Sequence, residues 1–199
     1  MQTRSKETRS HIMNAAIEEF SLSGYDATSV SDICREAGVS KGAFYHHFPS
    51  KQALFLAIMR EWLQGIDTQL FANRTQGKNV PQAIQDMGSM LGVIFHAASG
   101  QLPMFMEFMV QASRDKEVWK AVIAPYRQYQ QGFSDLINEG KKEGSFRADV
   151  EAGEAAWVLI SLAVGILLQG VVDPGAADWE SVTNKGVQMI LDGLQEKEK

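Results

Sequence analysis

Lys41, Tyr45, His46 and His47 stand within one run of seven residues, and their side chains offer donors for two kinds of acceptor, base edges and phosphate oxygens. They belong to the stretch TSVSDICREAGVSKGAFYHHFPSK, residues 28–51, which reads as two short helices joined at Gly38 and followed at once by a third. Ser29 can cap the first helix, Asp32 closes a capping box three residues on, and Ile33, Cys34 and Ala37 give an apolar inner face. Gly38 supplies the positive φ of a sharp helix-to-helix turn, and Val39 plugs the angle. Ser40 caps the second helix, which turns Phe44 and Phe48 inward and leaves Lys41, Gly42, Ala43, Tyr45 and His46 outward. Pro49 ends it and Ser50 caps the helix that follows. The pattern is a helix-turn-helix, and it points to double-stranded DNA.

Charge supports that reading locally and opposes it on average. The chain has 199 residues, a net charge of -5 and a pI near 5.4, which taken whole argues against a polyanion as partner. Residues 1–60, however, hold seven Lys or Arg against six Asp or Glu, so the remaining 139 residues carry the whole acidic excess. From Ala37 to Arg60 there are Lys41, Lys51 and Arg60, two histidines and no acid, and the N-terminal tail adds Arg4, Lys6 and Arg9. The basic groups gather where the second short helix lies.

Other chemistries find little support. Cys34 is the single cysteine, which excludes an internal disulfide, and its place on an inner helix face suits a small apolar residue better than a redox sensor. His46 and His47 are adjacent and point apart on a helix, poor geometry for a metal. No phosphate-binding glycine loop and no nucleophile elbow is present. No metal, cofactor or catalytic residue is therefore expected.

The stretch from Gly24 to about Met59, with GYDATSVSDICREAGVS and KGAFYHHFPSKQALF in family order and spacing, resembles the DNA-binding domain of the TetR family of bacterial transcriptional regulators. The resemblance covers about a quarter of the chain. It implies that Lys41, Gly42, Ala43 and Tyr45 face base edges or the adjacent backbone in the major groove, with Ser31 an occasional base contact. It implies phosphate-side positions for Thr28, Ser29, Ser40, His46, His47 and Lys51, and the role of a repressor acting on an inverted-repeat operator. The side chains are compatible: Lys41 can reach guanine O6 and N7, while Gly42 and Ala43 allow close approach and offer only a methyl for thymine. His46 departs from the aromatic ring many family members carry there.

The elements that must position these residues read as helices throughout, an all-α chain. Residues 5–22 carry Ile12, Ala15, Ala16, Ile17 and Phe20 on one face, a helix able to cover the helix-turn-helix core. Residues 50–71 are long enough to leave a small domain and enter a larger one. Further helices are expected at 80–98, 102–113, 115–141 (kinked at Pro125), 151–172 and 179–195. With 45% hydrophobic residues the chain can bury two cores: a three-helix DNA-binding domain over 1–50, and a larger helical domain over 51–199 for effector binding and dimerisation. The first twenty residues are polar, with no signal pattern, so the expected location is the cytoplasm.

Ala155–Val172 carries no charge over eighteen residues, long enough to span a membrane. Its flanks are acidic, with Glu151, Glu154 and Asp173, and no nearby Lys or Arg would anchor it. It reads as a soluble helix with one side toward its own domain and the other toward a partner chain. Trp157, Ser161, Gly165 and Leu168 mark the partner side, and Val182, Gly186, Met189 and Gly193 a similar seam on the last helix. Two such helices from each of two subunits make a homodimeric four-helix bundle, as the resemblance also implies.

A ligand pocket is expected in the larger domain. Residues 102–109, LPMFMEFM, place Met104, Phe105, Phe108 and Met109 around a short helix, and Trp62, Trp119, Tyr126 and Tyr129 add aromatic surface. His96 and Glu107 can supply its polar contacts; the alternatives are a solvent-facing Glu107 and a His96 satisfied in the interior. The effector would be an apolar or aromatic small molecule. Two alternatives stand beside this regulator: an architectural DNA-binding protein without effector, and an enzyme that uses the same pocket.

Overall fold

The computed structural model describes residues 2–71, 79–97 and 102–195; for residues 2–4, 66–71, 91–97, 102–103, 105, 108 and 121–125 it describes the backbone alone. The described residues form nine helices: α1 (Gln2–Ser23), α2 (Val30–Glu36), α3 (Lys41–His47), α4 (Lys51–Phe71), α5 (Val80–Ala97), α6 (Leu102–Ala112), α7 (Lys116–Glu143), α8 (Ala152–Val172) and α9 (Trp179–Leu194). No strand occurs among them. α7 keeps a helical backbone through Pro125.

The chain forms two compact units, and they do not divide at residue 50. The first comprises residues 1–64 and 100–122, the second 65–99 and 123–199. The first turns of α4 belong with the helix-turn-helix because Leu54, Phe55, Ile58 and Met59 fill its core beside Ile12, Ala16, Phe20, Ile33, Phe44 and Phe48. Phe20, Tyr25 and Phe55 meet there ring to ring, the closest pair of centroids being Tyr25 and Phe55 at 4.6 Å. The same core takes in Met104, Ala112 and Val118, so α6 and the start of α7 pack with residues far behind them in sequence.

The second unit is built on α5, α8, α9 and most of α7. Ile84, Met87, Leu136, Ile137, Leu159, Val187 and Leu191 close its core. α5 and α9 approach so closely that a Cβ at Gly88 would come within 2.9 Å of Val187 Cγ2. One side of α8 is buried here through Ala155, Ala156, Leu159, Ile160 and Ile166.

Candidate nucleic-acid interface

Three serines set the frame of the first unit. Ser29 Oγ accepts the Asp32 N–H at 3.2 Å while Asp32 Oδ2 accepts the Ser29 N–H at 3.1 Å, a complete capping box on α2. Hydrogen bonds from Ser29, and then the Arg35 guanidinium at 2.8 Å, hold the Asp32 carboxyl below the usual carboxylate range. Ser40 Oγ accepts the Ala43 N–H at 3.1 Å to start α3, and Ser50 Oγ accepts the Ala53 N–H at 3.0 Å to start α4. Gly38 takes φ +64° in the turn between α2 and α3, as a glycine readily does.

α3 is anchored from below by Phe44, fully buried, and by Phe48 just past its end. The opposite face is open: Ser40, Lys41, Gly42, Tyr45 and His46 are exposed, and Ala43 and His47 partly so. Ser29 and Ser31 are exposed as well. Gly42 has no internal reason to be glycine. Its backbone is ordinary helix, and a Cβ there would find only Ser40 Oγ, 3.7 Å away. The missing side chain therefore leaves room on the outer face of α3.

Two of the expected phosphate-side residues have partners within the chain. Thr28 is 1% exposed, and its hydroxyl donates to the Gly24 carbonyl at 2.8 Å and to that of Glu19 at 3.2 Å. Lys51 reaches back over the Tyr25 ring, 4.3 Å from its centroid, and donates to the carbonyls of Tyr25 at 2.6 Å and Thr28 at 2.8 Å. Both residues clamp the segment 24–28 that leads into α2, because its carbonyls find no partner in a regular helix.

That segment has a third support absent from the sequence reading. Glu107 of α6, partly buried, accepts the Tyr25 N–H at 2.8 Å. Burial first, and then nearby acids including Glu107, push the Tyr25 phenol up. Asp115, between α6 and α7, accepts from Gln52 Nε2 at 2.8 Å in the same way. Nothing in the spacing of these acids announces partners 82 and 63 residues upstream.

The expected effector residues are spread over both units. Met104 is buried in the first core and Met109 packs against it; Trp119 is 46% exposed in the same unit. Trp62 lines a cleft with α1. Tyr126 and Tyr129, half-buried, belong to the second unit, where the Tyr126 ring lies 5.4 Å from that of Trp157. The side chains of His96, Phe105 and Phe108 lie outside the described residues.

The expected partner seam separates into two kinds of position. Trp157, Leu168, Val182 and Met189 are exposed, Met189 at 74%, and so are Ser161 and Gly193. A Cβ at Gly165 would meet nothing within 4 Å. Gly186 differs: a Cβ there would lie 3.0 Å from both methyls of Leu162, so its smallness serves the packing of α9 on α8 of the same chain. α8 is long and apolar enough to cross a membrane by length and composition, with a mean hydropathy of 2.2, and only 28% of that window is buried within the chain. The described residues contain no group of three or more His, Cys, Asp or Glu placed to hold a metal ion.

Residues 12–58 match the family described as bacterial regulatory proteins, tetR family, and residues 97–192 match the C-terminal domain described as that of BetI-type transcriptional repressors. The chain is similar to the HTH-type transcriptional regulator UidR of Escherichia coli (strain K12), with 28% identity over 167 residues, 84% of this chain and 83% of that one. Its fold is that of a TetR transcription regulator from Haloarcula marismortui, with a TM-score of 0.84 at 17% identity, covering 96% of this chain and all of the other. FadR of Bacillus subtilis, crystallised with stearoyl-CoA, has the same fold, with a TM-score of 0.81 at 16% identity over 93% of this chain and 98% of that one.

Proposed function

The chain belongs to the TetR family of bacterial regulatory proteins, DNA-binding regulators of transcription rather than enzymes, and from that premise we propose a homodimeric repressor that leaves an inverted-repeat operator when an apolar or aromatic small molecule binds. The observation that carries the DNA face is Gly42: α3 exposes Lys41 and Tyr45 around a position whose lack of a side chain the protein's own packing does not require. Lys41, Ala43 and Tyr45 then read bases with Ser31 beside them, and Ser29, Ser40, His46 and His47 meet phosphates.

The dimer is supported by the uncovered apolar side of α8, with Trp157, Ser161, Gly165 and Leu168, and by Val182, Met189 and Gly193 of α9. A two-fold pair presents two recognition helices to two symmetric half-sites. The protein acts in the cytoplasm, where its DNA lies. Tyr126 and Tyr129 of the second unit are the effector candidates; a framework of this fold was crystallised with stearoyl-CoA in the FadR neighbour. α4, continuous from Lys51 to Phe71, carries a shift at one end to the other, so effector and operator weaken each other's binding by the same factor.

Selection of random duplexes by the purified protein tests this directly. An enriched inverted repeat with half-sites about one helical turn apart is the expected result. Enrichment of AT-rich or bent DNA without a repeat would instead favour an architectural protein.

A further inference from the structure

The cleft between α1 and the middle of α4 is a cavity that the regulator described above leaves unused. Its volume is about 600 Å³, and every residue that lines it belongs to the first unit. Cavities of that size hold drug-sized ligands. Met13 and Ile58 are buried and form the floor; Ile17 and Trp62 are half-buried and form the walls. The lower part of the cleft is thus apolar and aromatic.

The α1 side of the rim is cationic. Lys6 is exposed there, one turn before Arg9. The Arg9 guanidinium donates to Glu61 across the cleft at 2.6 Å and lies over the Phe48 ring, 5.2 Å from its centroid. Glu61 is 55% exposed, so the pair is a solvent-screened surface contact of little strength. An acid arriving with a bound molecule can take the place of Glu61 on Arg9, and Lys6 supplies the second positive charge.

We propose that this cleft is a binding site for a small amphipathic anion, a flat apolar body between Met13, Ile17, Ile58 and Trp62 with one acidic head at Lys6 and Arg9. The site lies on the unit that carries the helix-turn-helix, and Met13 and Ile58 share a core with Phe44 and Phe48 at α3. A ligand here bears on the recognition helix directly. The site does not rest on the effector proposed above.

The probe is 1-anilinonaphthalene-8-sulfonate, titrated into the full-length protein with tryptophan excitation and dye emission as readout. One dye per chain is expected. Lys6→Glu should weaken it about tenfold with the melting temperature unchanged, Trp62→Phe should cut the energy transfer, and the uncharged analogue N-phenyl-1-naphthylamine should bind about tenfold more weakly. Absence of binding would overturn the proposal. So would dye binding that Lys6→Glu leaves intact, energy transfer that Trp62→Phe leaves undiminished, or binding that is lost instead on Met189→Glu, which would put the dye on the open face of α9.

Discussion

The outer face of α3 and the outer face of α8 are both uncovered in a single chain, and they are built on opposite rules. α3 is short, fixed by a serine cap and by buried Phe44, and shows solvent a lysine, a tyrosine, histidines and a glycine. α8 is three times as long, has no side-chain cap, and shows solvent Trp157, Val158, Leu168 and Val172. The first suits a hydrated polyanion, approached closely and read by hydrogen bonds; the second suits another apolar surface, which removes it from water. Glycine marks both, and the meaning of each glycine lies in what a Cβ would touch. A Cβ at Gly165 would meet nothing and one at Gly42 only the Ser40 hydroxyl at 3.7 Å, whereas Gly186 faces Leu162.

The largest expected effect separates the last two. Gly186→Leu should destabilise the chain by about 3 kcal/mol, since even a Cβ there would lie 3.0 Å from the methyls of Leu162 and three further carbons must find space on the same side. Gly165→Leu should leave the fold intact and shift sedimentation from dimer to monomer. Equal melting temperatures for the two variants would erase the distinction between an internal and an external glycine.

Next in size is Lys51→Ala, with a loss of about 2 kcal/mol, because carbonyls of Tyr25 and Thr28 lose a charged donor. Thermal unfolding measures it. A variant of unchanged stability that merely flattens the salt dependence of operator binding would return Lys51 to the phosphate face.

Gly42→Ala should act in the opposite sense on stability. In an exposed helix the added methyl raises stability by up to about 1 kcal/mol, yet operator affinity should fall, because close approach to the groove is lost. Unfolding and operator titration on the same preparation separate the two. A stabilised variant with undiminished affinity would mean that nothing approaches α3 at that point.

The smallest effect belongs to the capping box. Asp32 is held below its ordinary range in the folded chain, so its contribution to α2 is present above the ordinary carboxylate range and is lost as pH falls through the lowered value. Asp32→Asn should remove that acid dependence from the helicity of α2, followed by backbone amide exchange.

The helix-turn-helix was legible almost residue by residue because its determinants are local: Ser29 with Asp32, Gly38 in the turn, Ser40 with Ala43, Pro49 after the helix. The exposed side chains of α3 followed from the same spacing. What the sequence hid depends on distant partners. Thr28 and Lys51 are polar residues beside a DNA-facing motif, and only the fold reveals that the carbonyls of 24–28 claim them. The division of the chain was hidden for the same reason, since the apolar pattern of Met104 and Ala112 states that α6 is buried without naming the core that buries it. Gly165 and Gly186 look alike in sequence, and their difference is a matter of which side of each helix meets its neighbour.

The claim at the centre of this account is that the open face of α3 reads bases, and the most direct measurement compares duplexes selected by the wild-type chain and by Lys41→Ala. Lys41 is exposed and makes no contact that the fold of α3 requires, so the variant should remain folded and dimeric. It should lose about 1–3 kcal/mol of operator affinity and relax its preference at one position in each half-site, symmetrically. Unaltered preference at every position, with affinity lowered equally for all sequences, would make Lys41 a phosphate contact and contradict the account.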